Sequence, residues 1–357
     1  MKKIGIITIN DYTNFGNRLQ NYAVQNYFEK HNFDVVTIKC GRIKKYRKLR
    51  SFVGNCLKRI SREPVNKRYL KFMKFNDYIR ETSFIINKDN IPQNLSDLFD
   101  YFVVGSDQVW NPTIGRLTSI ELLQFAKNNQ KISISASFGV SSISKELQNK
   151  TKKEFQSFKA ISVREDEGKN IISQITDRND VEVLIDPTML LSGKEWDNVS
   201  KKPTQLKKIK EQKYILNYFL GELQNEWRDE INRIAKENNC EIINVLDRQS
   251  EFYDIGPSEF LYLEKNAFLV CTDSFHSSVF SILYNTPFVV FNRKDKLAPM
   301  NSRIETLLSK FKLEGRKFNG KIDNDMLNCN YIEAKEILEE EKLKVEKFMK
   351  KTFEDWM

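Results

Sequence analysis

The chain has 357 residues, of which 40% are hydrophobic and 12% aromatic, and a formal net charge of +10. This length and composition exclude wholesale disorder and favour two domains of ordinary size. The five cysteines are scattered and the two histidines are few, so neither a disulfide framework nor a metal centre is expected. Because no apolar run reaches the length of a signal-peptide core or a membrane span, we expect a cytoplasmic protein.

The positive charge is concentrated in residues 42–80, where 14 lysines and arginines face two acidic residues. Aromatic and aliphatic residues are interleaved with the charges, a mixture that suits an amphipathic helix at an anionic membrane surface or at a phosphate-bearing substrate. In the alternative, the aromatic residues pack inward and leave a solvated charged face. Binding to nucleic acid is not expected, because it would explain only this basic segment and not the polar residues that follow the predicted strands.

Short apolar, β-branched runs alternate with stretches of helical periodicity along the chain, which is typical of α/β layering. The predicted strands are, in chain order, 4–9, 35–38, 101–104, 132–138, 160–163, 183–185, 214–219, 241–245, 268–271 and 288–291. The last segment, 331–357, has near-helical apolar spacing among many charges and predicts a long terminal helix.

This pattern predicts an α/β fold with two Rossmann-like domains that face each other across a cleft. The N-terminal domain is assigned to 1–195, with a basic insertion at about 42–90, the second domain to 196–330, and the C-terminal helix to 331–357. Ligands of open α/β sheets bind outside the carboxyl ends of the strands, so the residues that follow each strand are the candidates for a site.

Two strand exits in the first half are rich in hydroxyl and amide groups. Asn14 and Asn17 open the first helix, where backbone N–H groups can meet an anion or a sugar hydroxyl; an ordinary helix cap is the alternative. The segment that begins at Gly105 offers donors and acceptors for sugar hydroxyls, although Asp107 can instead cap a helix. Its candidate acceptor-binding residues are Ser106, Asp107, Gln108, Trp110 and Asn111.

An arginine and a histidine follow later strands. Arg164 comes directly after a strand, and its planar guanidinium suits a carboxylate or phosphate, unless it forms a salt bridge with Glu165 or another carboxylate. His276 lies at the start of a helix beyond a strand, among Asp and Ser residues, and is an acid–base candidate, although a lone histidine is often structural. His31 lies in a helix-to-strand turn.

Six segments appear in one order along the chain and together carry a family resemblance. They are Asn-Phe-Gly-Asn at 14–17, Gly-Ser-Asp-Gln-Val-Trp-Asn at 105–111, Ser-Val-Arg-Glu at 162–165, Asp-Pro-Thr at 186–188, Gly-Pro-Ser-Glu-Phe at 256–260 and Thr-Asp-Ser-Phe-His at 272–276. In residues 1 to about 310, the chain resembles the polysaccharide pyruvyl transferases.

The resemblance implies a GT-B-like pair of domains with the donor, phosphoenolpyruvate, in the cleft between them. It assigns His276 and Arg164 to catalysis, with Arg164 also holding the donor anion. Some family members carry an arginine where this chain has Ser274, and that difference removes a cation from the donor site. We expect Arg293 and Arg303 to restore the charge, although Arg303 can instead cap or pair with the next helix. The predicted donor-binding residues are Arg164, Ser274, Ser277, Arg293 and Arg303.

The implied activity is transfer of an enolpyruvyl-derived group to sugar hydroxyls, which forms a pyruvate ketal on a capsule or other bacterial surface glycan. The acceptor would be a sugar or a lipid-linked oligosaccharide, and no cofactor or metal is expected beyond phosphoenolpyruvate as co-substrate. The enzyme would then work in the cytoplasm, peripherally at the inner membrane face. The alternative is a GT-B-type glycosyltransferase with a nucleotide-sugar donor. Ser274, in the place of an arginine of some family members, is the residue that favours this alternative.

Overall fold

The computed structural model describes residues 1–41, 64–209, 213–293, 302–328, 330–354 and 356. Its strands are β1 (Lys3–Ile7), β2 (Asp34–Cys40), β3 (Glu81–Ile86), β4 (Tyr101–Asp107), β5 (Lys131–Ala136), β6 (Ala160–Val163), β7 (Glu182–Val183), β8 (Tyr214–Tyr218), β9 (Glu241–Asn244), β10 (Leu269–Thr272) and β11 (Phe288–Val290). Its helices are α1 (Phe15–Lys30), α2 (Pro64–Asn76), α3 (Lys145–Gln156), α4 (Asp166–Ile175), α5 (Gly193–Asp197), α6 (Asn225–Glu237), α7 (Pro257–Asn266), α8 (Phe275–Tyr284), α9 (Ser302–Lys310), α10 (Asn324–Leu327) and α11 (Ile332–Thr352).

The strands form two parallel sheets, as the α/β prediction requires. The first has seven strands in the order β3-β2-β1-β4-β5-β6-β7, and the second has four in the order β11-β10-β8-β9. Central strands such as β4 are buried along their whole length, because helices cover both faces of a parallel sheet. The carboxyl ends of the strands in each sheet lie at one edge, where the loops that carry the predicted site residues begin.

All ten predicted strands are present in the two sheets, with ends that differ by a few residues. The prediction missed β3, an edge strand inside the assigned basic insertion, in which only Thr82 and Ile86 are fully buried. A strand with so little buried surface has a weak apolar pattern. The predicted domain boundary, between residues 195 and 196, falls in the segment between β7 and β8, and it stays a prediction.

A stack of aromatic rings joins the two sheets. Phe15, at the start of α1, stacks on Phe260 of α7 with ring centroids 4.4 Å apart and on Phe72 of α2 at 5.2 Å. All three side chains are fully buried. The guanidinium of Arg68 lies 4.5 Å from the Phe15 ring and donates a 2.8 Å hydrogen bond to the carbonyl of Tyr253. Helix α2 therefore connects the two halves of the molecule.

These contacts bear on the proposed docking role of the basic stretch. The side chain of Arg68 is buried. Of the apolar side chains described in this stretch, Phe72, Phe75 and Ile79 are buried, Met73 and Tyr78 are half-buried, and Tyr69 and Leu70 are exposed, so only part of the set packs inward as the alternative interpretation has it. Residues 42–63 lie outside the described residues, so membrane docking stays a prediction. Among the helices described, none is long and apolar enough to cross a bilayer.

The chain ends in the long helix that the sequence predicted. Helix α11 returns to the first sheet, where Glu346 accepts a 2.6 Å hydrogen bond from the Tyr27 hydroxyl. Trp356, beyond the helix, stacks on the His31 ring at 3.9 Å, and Nδ1 of His31 lies 2.8 Å from the Tyr27 carbonyl oxygen. His31 thus lies at the C-terminal end of α1 and packs against Trp356.

Candidate functional site

A cavity of about 880 Å³ lies between the carboxyl edges of the two sheets. Most of its wall comes from the loops after β1, β4, β8 and β10 and from the start of α9. Of the predicted site residues, those that line it are Asn14, Asn17, Asp107, Gln108, Ser274, His276, Arg293 and Arg303. The parallel sheets therefore bring eight predicted residues, widely separated in sequence, to one cleft.

Arg164 lies behind this wall, fixed between two carboxylates. Its guanidinium donates to Asp186 Oδ2 at 2.7 Å and to Asp107 Oδ1 at 3.2 Å, and it lies 4.2 Å from the centroid of the Phe275 ring. The residue is buried and does not line the cavity. The structure shows the alternative considered for Arg164, a salt bridge with another carboxylate, and its predicted contact with the donor stays a prediction.

Asp186 is the best-satisfied carboxylate of the site. Its Oδ1 accepts from the backbone N–H and the hydroxyl of Thr188 at 3.0 and 2.7 Å, and its Oδ2 accepts from the Ser106 hydroxyl at 2.9 Å. Burial alone raises the pKa of Asp186, but His276, Arg164 and the hydrogen bonds from Thr188 outweigh it and lower the pKa to about 2. Asp186 is ionised at neutral pH. Sequence reasoning placed it only in a family motif, at a strand exit, and gave it no role.

Asp107 links the strand exit after β4 to three other elements. Its backbone has φ of 67°, a conformation that is uncommon for a residue other than glycine and that recurs at functional sites. Its carboxylate accepts from the Asn17 carboxamide and from Arg164, and it lies 4.0 Å from Arg303 Nη1. Burial opposes ionisation, but Arg164, His276 and Arg303 lower the pKa of Asp107 overall. It does not cap a helix.

Arg303, at the start of α9, presents a cation to the cavity. Its guanidinium nitrogens lie 2.6 and 2.7 Å from a terminal carboxamide atom of Gln108, and the hydrogen-bond network is satisfied when that amide is assigned with its oxygen toward Arg303. Burial and the nearby Arg164 lower the pKa of Arg303 to about 10, so it stays charged at neutral pH. Because its hydrogen-bond partner is neutral, Arg303 retains charge that a ligand can use.

His276 lies where the first turns of two helices meet. It is in the first turn of α8, which Ser274 caps, and its ring packs against Gly16 in the first turn of α1. A Cβ added at Gly16 would overlap Nδ1 of the imidazole, so only glycine leaves room there. The glycine of the Asn-Phe-Gly-Asn segment is thereby explained by the histidine of the other half of the chain.

The imidazole of His276 faces the carboxylates and is held neutral. Its Nε2 lies 3.8 Å from Asp186 Oδ2 and has no hydrogen-bond partner among the described residues. Burial lowers the pKa of His276, and Arg164 and Arg303 lower it further, against the opposing effect of Asp186 and Asp107. A neutral, unpaired imidazole nitrogen beside an ionised carboxylate can take up a proton and give it back.

Four of the predicted site residues, Ser106, Trp110, Asn111 and Ser277, are fully buried and do not line the cavity. Trp110 packs on Phe155 in the core of the first half and donates its indole N–H to the Glu121 carbonyl. Asn111 caps the short helical turn at 112–114. Ser106 supports Asp186 from behind, and the hydroxyl of Ser277 donates to Glu264. Strand-exit segments turn successive side chains in different directions, and sequence alone does not tell which ones face the cleft.

Asn14 caps a helix, as one of the two interpretations has it, and its predicted contact with a ligand stays a prediction. Its side chain caps α1 by accepting from the backbone N–H of Asn17 at 3.2 Å, and the residue also lines the cavity.

Asp273 connects the loop after β10 to the loop after β8. From the sequence it was considered only as a neighbour of His276. Its carboxylate accepts from the backbone N–H groups of Leu220 and Gly221 at 2.6 and 2.8 Å.

The chain was compared with known proteins. The model of the family described as polysaccharide pyruvyl transferase matches residues 14–295. A search of curated proteins finds no significant match. The fold is similar to that of UDP-N-acetylglucosamine 2-epimerase from Rickettsia bellii, with a TM-score of 0.54 and 12% identity over 98% of this chain and 96% of that one.

A putative UDP-N-acetylglucosamine 2-epimerase from Listeria monocytogenes gives a TM-score of 0.50 and 10% identity over 95% of this chain and 94% of that one. At such low identities the likeness shows the fold alone. It supports the predicted GT-B-like arrangement of two Rossmann-like halves.

We predict that Gly16→Ala displaces the His276 ring and lowers turnover by about ten-fold or more, because the added methyl group overlaps the imidazole. Gly315→Ala is the control, since nothing lies within 4 Å of a Cβ at that position. Turnover and thermal unfolding of both variants should be measured side by side. Equal turnover in the two variants would show that the Gly16 contact does not hold His276 in place.

We also predict that His276 titrates below its ordinary value of 6.5 in the free protein, because burial disfavours the imidazolium. The chain has two histidines, so the ring resonance that disappears in His276→Asn identifies this one in an NMR titration. Inorganic phosphate should raise the midpoint, since a nearby anion favours the charged ring. A midpoint at or above 6.5 without phosphate contradicts the assigned environment.

Proposed function

The chain belongs to the polysaccharide pyruvyl transferase family, a family of transferase enzymes, and we propose that it uses phosphoenolpyruvate to place a pyruvate ketal on two hydroxyls of a surface-glycan sugar. One observation carries the proposal: a neutral, buried imidazole, His276, opens onto a cleft that also holds cations. That combination suits a donor that is strongly anionic and must be protonated on carbon.

The phosphate and carboxylate of the donor need positive charge. Arg293 and Arg303 both line the cavity, and the first turn of α8 directs its N–H groups and its positive dipole end toward the same space. Both terminal nitrogens of Arg303 contact the neutral carboxamide of Gln108, and the Asp107 carboxylate oxygen lies 4.0 Å from Nη1. A bidentate oxyanion would therefore bind Arg303 by displacing a neutral partner. These arginines thus take the place of the cation that some family members carry at position 274.

The binding of the donor prepares His276 for the first step. The negative charges of phosphoenolpyruvate raise the pKa of the imidazole, so that it binds a proton when the donor arrives. His276 then transfers that proton to C3, which leaves an oxocarbenium centre at C2. Asp186 faces Nε2 at 3.8 Å, where it orients the ring and stabilises the imidazolium before the transfer.

Two sugar hydroxyls complete the reaction. The first attacks C2, and its proton passes to the now neutral imidazole. The C2–O bond to phosphate breaks, and phosphate leaves with the proton that the imidazolium gives up. The second hydroxyl then attacks C2 and its proton passes to the neutral imidazole, which closes the ketal and restores the protonated ring. One phosphoenolpyruvate and one diol give one ketal and one phosphate, so no redox agent or further cofactor is needed.

The wall contributed by the first half suits the acceptor. Asn14, Asn17, Asp107 and Gln108 present amide and carboxylate groups that donate to and accept from sugar hydroxyls. Asp107 is itself fixed by Asn17 and Arg164, so a hydroxyl bound to it would be held in a defined place relative to His276. A sugar, free or on a lipid carrier, is the acceptor that this lining supports.

A second candidate is glycosyl transfer from a nucleotide sugar. It is favoured by the fold, which is shared with enzymes whose titles name UDP-N-acetylglucosamine, and by Ser274 in place of a family arginine. The two candidates differ in the donor that the cleft binds. They also differ in the need for carbon protonation, which glycosyl transfer does not have.

We predict that phosphoenolpyruvate raises the melting temperature of the protein and that UDP-N-acetylglucosamine does not. A ligand at 100 times its dissociation constant stabilises the native state by about 2.7 kcal/mol. Arg303→Ala should weaken this binding by about ten-fold or more, because a charge-assisted fork is lost. Lys152→Ala, which removes an exposed cation on α3, is the matched control.

His276→Ala should keep the stabilisation by phosphoenolpyruvate but lose about a hundred-fold or more of the acceptor-dependent phosphate release. If the nucleotide sugar stabilises the protein and phosphoenolpyruvate has no effect, the glycosyltransferase candidate is correct.

A further inference from the structure

A second cavity, of about 580 Å³, lies beside the smaller sheet, between α6 and the edge strand β9. We propose that it binds a neutral oligosaccharide, the part of the acceptor glycan that extends beyond the sugar that reacts. The proposal rests on the proposed function, because it takes the acceptor to be a glycan longer than one residue.

The lining of this cavity is suited to hydroxyl groups. Three carboxamides, those of Asn217, Asn232 and Asn244, lie around it, and each carries both a donor and an acceptor. The charged groups, Arg228 and Asp247, are one of each sign. Aliphatic and aromatic side chains complete the wall and can pack against the C–H faces of a sugar ring: Phe219, Leu223, Ile231, Ile242 and Leu246.

A second, independent observation concerns Asn217, whose side-chain oxygen lacks a hydrogen-bond donor among the described residues. It is buried, with 5% of its surface exposed, and its Nδ2 donates to Asn244 Oδ1 at 3.0 Å. Its Oδ1 has no hydrogen-bond partner among the described residues. Buried carbonyl oxygens are nearly always paired, so a ligand hydroxyl beside Asn217 would supply the donor that the protein does not.

The balance of charge distinguishes the two cavities. The catalytic cleft carries Arg293 and Arg303 beside His276, as an anionic donor requires. In the second cavity the charges of Arg228 and Asp247 cancel, so nothing there favours a phosphate or a carboxylate. A neutral sugar chain fits that lining better than phosphoenolpyruvate or a nucleotide diphosphate.

A single turn separates the second cavity from the catalytic cleft. Leu220 lines the cleft and the next residue, Gly221, lines the second cavity. Both backbone N–H groups donate to Asp273, which precedes Ser274 and is close in sequence to His276. A glycan with its terminal sugar in the cleft can therefore continue across this turn, and its binding is connected to the loop that holds the catalytic histidine.

The test is direct binding of the full-length protein to an array of neutral, phosphorylated and carboxylated oligosaccharides, without phosphoenolpyruvate. The variant Arg228→Ala/Asn232→Ala removes two polar groups from the cavity at exposed positions of α6. The control, Asp229→Ala/Lys236→Ala, changes two exposed residues of the same helix outside the lining. Melting temperatures confirm that both variants fold.

We expect neutral oligosaccharides to bind the wild type and the control equally, and the cavity variant about ten-fold or more weakly, as the loss of one or two hydrogen bonds implies. Stabilisation by phosphoenolpyruvate should be the same in all three proteins. If no neutral oligosaccharide binds, or if the cavity variant binds them as well as the control, the second site is refuted. Neutral binding without any effect of phosphoenolpyruvate would instead refute the proposed donor and leave this site standing.

Discussion

The buried guanidinium of Arg164 is the constraint on which the site depends. It bridges Asp107 and Asp186, the carboxylates at two other strand exits of the first sheet. Two buried carboxylates so close together cannot both stay ionised without a cation between them, and a buried cation needs both of them in return. The strand exits that carry Asp107, Arg164 and Asp186 are therefore held in one arrangement. Asn17 and His276 are positioned by their contacts with these carboxylates.

This arrangement gives the cleft its chemical character. Asp186 is held ionised and the imidazole beside it is held neutral, so the two groups differ in their affinity for a proton before any ligand binds. Arg303 carries the charge that is not consumed within the cluster. In the proposed reaction, an anion that enters the cleft changes the protonation of His276. Substrate binding and proton supply would then be linked by electrostatics alone.

Much of the fold could be predicted from the sequence, because buried parallel strands are read as apolar runs and helices as periodic stripes. The edge strand β3 was missed, since little of it is buried. The candidate site was predicted by position, as residues after strands, but not by orientation. Trp110 proved to be a core residue, and Arg164 to be paired within the protein, because only tertiary contacts decide which side chains face solvent. Asp186 was passed over for the same reason.

Protonation of the donor on carbon by His276 can be followed by isotope incorporation. The enzyme, phosphoenolpyruvate and a glycan acceptor extract are incubated in D₂O, and the product is analysed by mass spectrometry and NMR. We expect one deuterium in the methyl group of each pyruvate ketal, with the signal lost in His276→Ala. A ketal whose methyl group contains no deuterium, or a product that carries a sugar transferred from a nucleotide donor, would contradict the proposed reaction.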